Sequence, residues 1–272
     1  MKETITRSIT GIFIIAVIIL ALVLHPFFYL ALFTLVTLGA WLEFTGLFYT
    51  GKRTALRITG ALMLSGTFVV TYFILSGQWP AYSGFIPVLF LISMIIFDTL
   101  LETRIARRSV PVSLAGFLYL GTGFCCLHCL AFRQGTWETY SPAWILYTCY
   151  LIWTYDTMAY VTGKLAGRHP LWARLSPGKT WEGSIGGAFF AIILAIILSR
   201  LDDALTIPAW IGLSMVVVLF GTVGDLFQSW LKRLTGRKDS GRLLPGHGGI
   251  LDRFDSLIMA TPFVNIYLIL VR

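Results

Sequence analysis

Nine apolar segments, separated by polar connections, run through this chain at 8–24, 27–49, 56–76, 83–101, 110–132, 143–163, 183–200, 207–227 and 250–271. At about 1.5 Å of rise per residue, each is long enough as a helix to cross a hydrocarbon core of about 30 Å. No alternation of apolar and polar residues persists over the roughly ten-residue units that an outer-membrane barrel needs. The expected fold class is therefore all-α: a polytopic integral membrane protein of about nine transmembrane helices. One membrane domain is expected, with an N-terminal set of spans over 1–142 and a catalytic half over 143–272. Composition agrees, because the chain is 57% hydrophobic and only 12% charged. An ordinary soluble domain carries about 25% charged residues. Disorder and a soluble globular enzyme are both excluded on these grounds.

The first segment follows Lys2 and Arg7, as a signal peptide would. It is longer than a typical signal core and ends at His25-Pro26 without a small-x-small site, so a retained first span is expected. Cys125, Cys126, Cys129 and Cys149 all lie in apolar stretches, which implies no disulfide framework. Cys125-Cys126-Leu127-His128-Cys129 has no second ligand pair and reads as core rather than zinc.

The net charge of +8 acquires meaning once the charges are placed. Numbering the connections alternately from the N-terminus, eighteen of the 21 Lys and Arg fall on the odd side or just inside a span. The other side holds only Arg133, Arg200 and Arg272. The positive-inside rule then predicts a cytoplasmic N-terminus and an outer C-terminus, in a cytoplasmic (inner) membrane. The two longest connections, 164–182 and 228–249, lie on the cytoplasmic side in the C-terminal half, and chemistry is expected there.

The densest constellation begins at the end of the eighth segment. Asp225 is followed by Ser229, Lys232, Arg233, Lys238, Asp239 and the turn Pro245-Gly246-His247-Gly248-Gly249, then by Asp252, Arg253 and Asp255. Asp252 and Asp255 are three apart and share a helix face. If the last two helices pair, Asp225 and Asp252 can converge at one depth. Carboxylates among cations, beside a Gly-rich turn, suit a metal-bound polyphosphate: hard oxygens hold Mg²⁺, and Lys and Arg neutralise the phosphates. A lipid-facing basic loop with balancing acids is the plainer alternative.

A second constellation lies in Asp156-Thr157-x-Ala159-Tyr160 of the sixth segment and in Ser176-Pro177-Gly178-Lys179-Thr180-x-Glu182-Gly183 before the seventh. Asp156 is an acid inside an apolar span and should face protein or a polar cavity. The Ser176–Glu182 stretch reads as a loop entering a helix, whose first N–H groups can hold phosphate. An N-cap followed by Glu is the plainer reading. Pro177-Gly178-Lys179-Thr180 resembles the end of a P-loop, but position 173 is Ala and membrane helices flank the stretch, so that reading is rejected. Gly183, Gly186 and Gly187 give a small-residue face suited to helix packing, which also allows a homodimer. Glu43 and Asp98 sit in the second and fourth segments with no role assigned.

These motifs resemble the phosphatidate cytidylyltransferase (CDP-diacylglycerol synthase) family. The stretch Ser229-x-x-Lys232-Arg233-x4-Lys238-Asp239-x-Gly241-x3-Pro245-Gly246-His247-Gly248-Gly249-x2-Asp252-Arg253-x-Asp255 carries most of the likeness. The Asp156 and Ser176–Gly183 stretches add to it, and Glu43 sits where the family often has a Glu. The likeness is good over about 150–260 and rests mainly on hydropathy before that. Gly178 departs from it, because the family often has a second basic residue there, and one phosphate contact is lost.

The resemblance implies an enzyme that joins CTP to phosphatidate, giving CDP-diacylglycerol and pyrophosphate with Mg²⁺, a second cation being left open. It implies metal binding by Asp225 and Asp252, with Asp255 beside them. Lys232, Arg233, Lys238 and Arg253 are expected on phosphates. Ser176, Lys179, Thr180, Glu182, Asp156, Asp239 and His247 are expected on substrate. The partners implied are CTP, phosphatidate and the membrane, not nucleic acid. A CTP-dependent lipid kinase of the polyprenol type is the nearest enzyme alternative. An ion-coupled transporter is the alternative of another class, disfavoured because the charges crowd one membrane edge and no internal repeat is visible.

Overall fold

The structure is a computed structural model that describes residues 2–49, 54–101, 106–133, 139–241 and 248–271. Among them run nine long helices: α1 (Lys2–Leu24), α2 (Pro26–Phe48), α3 (Thr54–Leu75), α4 (Phe85–Leu101), α5 (Ala106–Ala131), α6 (Ala143–Ala166), α7 (Trp181–Leu198), α8 (Ile207–Leu234) and α9 (Leu251–Leu270). Each expected apolar segment has become one helix. Seven of these, all but α1 and α6, are long and apolar enough to cross a membrane, and α1 adds a shorter apolar run, Thr10–Leu24. Helix α6 is the exception, because Asp156, Lys164 and several Thr and Tyr dilute it. The protein is an all-α membrane protein. Its surface fits that solvent: along α4, Phe85, Val88, Leu89, Ile92, Ile96 and Leu100 stand exposed at helical spacing. In water such a stripe would be an aggregation liability, and against acyl chains it carries no penalty.

One short element breaks the helical pattern. Strands β1 (Pro170–Trp172) and β2 (Ser176–Thr180) pair as an antiparallel hairpin between α6 and α7. The stretch expected to be a loop is thus a strand that runs directly into α7.

The chain divides into two compact units, one formed by Met1–Pro142 with Thr235–Phe254 and the other by Ala143–Leu234 with Asp255–Arg272.

The first unit is built on α2, α3 and α5. Trp41, Tyr29, Phe33, Phe68, Tyr72 and Phe124 are fully buried there. His128 is enclosed by Tyr29, Phe68 and Tyr72, with its ring nitrogens 2.8 Å from the Tyr29 hydroxyl and 2.9 Å from the Phe68 carbonyl. Both nitrogens are satisfied inside the core, and Cys125, Cys126 and Cys129 are half-buried. The segment after Thr235 is fastened to α2. Arg237 donates to the Gly46 carbonyl near the end of that helix at 2.8 Å, where a cation meets unsatisfied carbonyls.

In the second unit, α6 and α7 approach to backbone contact. A Cβ at Gly183 would lie 2.7 Å from the Ala159 carbonyl, and one at Gly187 would lie 2.7 Å from the Tyr155 carbonyl. Gly186 faces Thr162 in the same way. The small-residue face expected for packing is taken up by α6 within the chain, which removes the argument it offered for a homodimer. Thr162 donates across the contact to the Gly183 carbonyl at 3.1 Å. Helix α8 is tied to α6 by a 2.7 Å hydrogen bond from Thr222 to the Tyr155 hydroxyl.

Candidate active site

The second unit holds a cavity of about 530 Å³ between α6, β2, α7 and α8. Asp156, Lys179, Thr180, Ser184 and Asp225 line it. Strand β2 carries Lys179 to it, and the Lys179 ammonium forms an ion pair with the Asp225 carboxylate of α8. Ser229, one turn further along α8, donates to the other Asp225 oxygen at 3.4 Å. Burial alone would push the Lys179 ammonium down, but the Asp225 carboxylate, together with Asp156, offsets this and holds its pKa above the ordinary lysine value.

Asp255 is buried on α9 and accepts from its neighbour, the Ser256 N–H, at 2.7 Å. The approach of α8 to α9 is set by Gly224, where a Cβ would lie 2.5 Å from the Asp255 carbonyl. A side chain at 224 would force the helices apart, so the glycine brings Asp225 and Asp255 to one level. Asp156 and Asp225 act electrostatically on Asp255, as does Lys179. Three carboxylates from three helices are therefore set against two lysines, Lys179 and the exposed Lys164, and fully ionised they would leave an excess of one negative charge. Hard oxygen donors with unneutralised charge are the chemistry a divalent cation takes. No group of three or more His, Cys, Asp or Glu in ligating geometry occurs among the described residues.

The remaining residues expected before α7 are placed by its N-terminus. Thr180 is the N-cap, its Oγ1 accepting from the Gly183 N–H at 3.1 Å. The plainer N-cap reading is thus realised at Thr180. Glu182 turns back to the chain after α6, accepting from the Arg168 and His169 N–H groups at 3.1 and 3.2 Å and lying 2.5 Å from the His169 ring. Its carboxylate braces the base of the hairpin. The sequence reading missed His169, whose partner is thirteen residues away on the far side of the hairpin. Ser176 opens β2. Lys232 and Arg233 lie in the last turn of α8, the former half-buried and the latter exposed.

In the first unit a second carboxylate cluster forms around Asp252, in the opening turn of α9. Its Oδ2 accepts from the Ser240 N–H at 3.0 Å, the Ser240 hydroxyl at 2.9 Å and the Gly249 N–H at 3.2 Å. Glu43 of α2 reaches the same place. It accepts from the Ser240 hydroxyl at 3.0 Å and from the Ile250 and Leu251 N–H groups at 3.0 and 2.9 Å. Those two N–H groups belong to the start of α9 and have no partner within the helix, so a distant carboxylate satisfies them at the positive end of the helix dipole. Gly241 and Gly249 lie so close to the Glu43 carboxylate that a Cβ on either would overlap it. Gly248 turns the chain with φ of 81° just before the helix. Lys238 and Asp239 are exposed before Ser240, and Arg253 is exposed after Asp252. His247 lies outside the described residues.

The sequence expectation paired Asp225 with Asp252. Within the second unit, the carboxylate brought beside Asp225 is that of Asp255, while Asp252 is held in the first unit with Glu43. No role was assigned to Glu43 from the sequence, and nothing local could have revealed one, because its partners lie about two hundred residues away in sequence.

The Cytidylyltransferase family matches residues 5–271 of the chain. Among curated proteins, the chain is similar to a phosphatidate cytidylyltransferase of Staphylococcus aureus, 40% identical over 176 residues, which is 64% of each chain. It is also similar to proteins of the same name from Staphylococcus saprophyticus, 39% identical over 65% of each chain, and from Staphylococcus epidermidis, 37% identical over 71% of this chain and 73% of that one. The matched region thus spans just under two thirds of the Staphylococcus aureus protein.

Proposed function

Because the chain belongs to the cytidylyltransferase family, we propose that it is a phosphatidate cytidylyltransferase, joining CTP and phosphatidate into CDP-diacylglycerol and releasing pyrophosphate. The observation that carries this reading is the cavity of the second unit, where Lys179 is paired with Asp225 beside Asp156. An ion pair between Lys179 and Asp225 at a strand-to-helix junction is a place where metal-bound phosphate can exchange for the pair already there. The names of the staphylococcal relatives point to the same substrates.

In the proposed reaction, a phosphate oxygen of phosphatidate attacks the α-phosphorus of CTP. The bond from that phosphorus to the oxygen bridging to the β-phosphate breaks, and pyrophosphate leaves with its electron pair. Such transfers are catalysed mainly by positioning and charge stabilisation, so no covalent nucleophile is required. Asp225 and Asp252 are each proposed as Mg²⁺ ligands, with Asp255 as a further carboxylate beside Asp225, and the ion would supply Lewis-acid neutralisation of the phosphates. Lys179 releases Asp225 and takes a substrate phosphate. Lys232, Arg233, Lys238 and Arg253 neutralise the remaining phosphate charge. Thr180 holds the first turn of α7, and Glu182 holds the hairpin that presents Lys179. Ser176, Asp156, Asp239 and His247 are proposed substrate contacts. The basic connections would face the cytoplasm in the cytoplasmic membrane, where CTP is available and anionic lipid headgroups gather.

The test is an assay of the purified protein with CTP labelled in the cytidine, phosphatidate and Mg²⁺. CDP-diacylglycerol and pyrophosphate in equal amounts are expected. Release of CDP with a phosphorylated lipid would replace this reading with a lipid kinase. Absence of any lipid product from folded protein, across several acyl chains, would overturn it.

A further inference from the structure

We propose that Glu43 is a positioning residue for the transfer reaction, acting through Ser240 and the first turn of α9 on the Asp252 carboxylate. This inference rests on the function proposed above. Three observations carry it. Glu43 is 5% exposed, yet three hydrogen bonds engage both of its oxygens, all from the segment that holds Asp252. Ser240 then donates from its backbone and stands with its hydroxyl 2.9 Å from Asp252, so the one serine contacts both carboxylates. The glycines at 241 and 249 leave just the room that the Glu43 carboxylate fills.

The physical consequence is orientation. A serine hydroxyl has one proton, and here it lies between two carboxylate oxygens at near-equal distance. Glu43 pins the serine and the N–H groups of Ile250 and Leu251. Asp252 Oδ2 is thereby engaged by Ser240 and Gly249. Residues that orient a metal-binding carboxylate change metal affinity or activity roughly 10–100-fold when altered.

The experiment uses the full chain purified in detergent, with Glu43→Gln, Ser240→Ala and the core substitution Leu64→Ala as a destabilised control. Mn²⁺ binding is titrated by electron paramagnetic resonance without substrate, and turnover is measured against Mg²⁺ and against CTP. Both E43Q and S240A are expected to weaken Mn²⁺ binding and raise the half-saturating Mg²⁺ concentration about tenfold or more, with KM for CTP within about twofold. L64A is expected to lower the melting temperature and leave both metal readouts unchanged. If E43Q does not fold, S240A decides alone. Wild-type metal responses in the folded variants, losses no larger than those of L64A, or a wild-type protein that binds no Mn²⁺ would each overturn the proposal. A wild type that binds Mn²⁺ but makes no CDP-diacylglycerol overturns the proposed function instead, and the binding titration still decides the role of Glu43.

Discussion

Lys179 of strand β2 is ion-paired to Asp225 of helix α8, at the wall of a cavity that Asp156 also lines. Neither side chain is fully buried, with 26% and 30% of their surfaces exposed, so water and a solute can reach the pair. Each residue is therefore both satisfied at rest and available for exchange.

Removing either partner is expected to abolish most activity. Lys179→Met and Asp225→Asn should each lower kcat by about 100-fold or more, the scale for losing one group that stabilises developing charge. The double variant should be little worse than the poorer single one, because both act in one unit. Steady-state kinetics of the three proteins checks this. Near-normal turnover in D225N would remove Asp225 from the metal assignment, and Asp252→Asn tests its proposed partner in the same way.

The raised pKa of Lys179 fixes the direction of a pH effect. A group raised on folding contributes stability in full below its unfolded value, here 10.5, and loses it as pH rises through the folded value. The difference in melting temperature between wild type and K179M should thus be constant from about pH 7 to 9 and shrink only in strongly alkaline buffer. A difference that disappears between pH 7 and 9 would contradict the ion pair. Thermal melts across pH measure it.

Glu182 is expected to act through the hairpin. With Glu182→Gln the His169 contact and the hold on two N–H groups weaken, and the exposed hairpin should open more often. Trypsin should then cleave after Arg168 or Arg174 several-fold faster than in wild type, with activity reduced in parallel because Lys179 sits on the same hairpin. Unchanged cleavage would confine Glu182 to local helix capping.

Gln228 of α8 is fully buried, and neither end of its side-chain amide has a hydrogen-bond partner among the described residues. An unmade bond of this kind costs about 1–3 kcal/mol. Gln228→Met, of similar volume, should raise stability by that order, read from melting temperature. A drop instead would show that the amide is occupied in the working protein.

Close approach at Glu43 predicts an asymmetry between glycines. Gly249→Ala should destabilise by about 1–3 kcal/mol, as overpacking does. Gly84→Ala, where an added Cβ meets nothing within 4 Å, should stay within about 0.5 kcal/mol of wild type. Thermal unfolding of the two variants gives the comparison.

The helices were legible because hydropathy acts over some twenty residues at once, and each expected span became a helix. Their ends were less so. Helix α8 continues to Leu234, past the expected 227, because Lys232 and Arg233 read as loop by charge although both are good helix formers. The hairpin was invisible, since strands of three and five residues containing Pro and Gly carry no period. The residues around Asp225 were found from their chemistry, yet its ion-pair partner is none of the basic residues that follow it closely but Lys179, 46 residues earlier. Glu43 shows the limit most clearly: an acid in an apolar helix signals a polar partner, but only folding shows that the partner is the opening turn of α9.

The hairpin also has a bearing on where the membrane ends. Each strand has one edge whose N–H and C=O groups are unpaired, and hydrocarbon cannot satisfy them. Water or protein must meet those groups, which sets the hairpin apart from α6, ending at Ala166, and α7, beginning at Trp181. Asp156 lies ten residues back along α6 from Ala166, about 15 Å of helix. The cavity that both Asp156 and Lys179 line therefore joins the hairpin to an acid about three turns along α6.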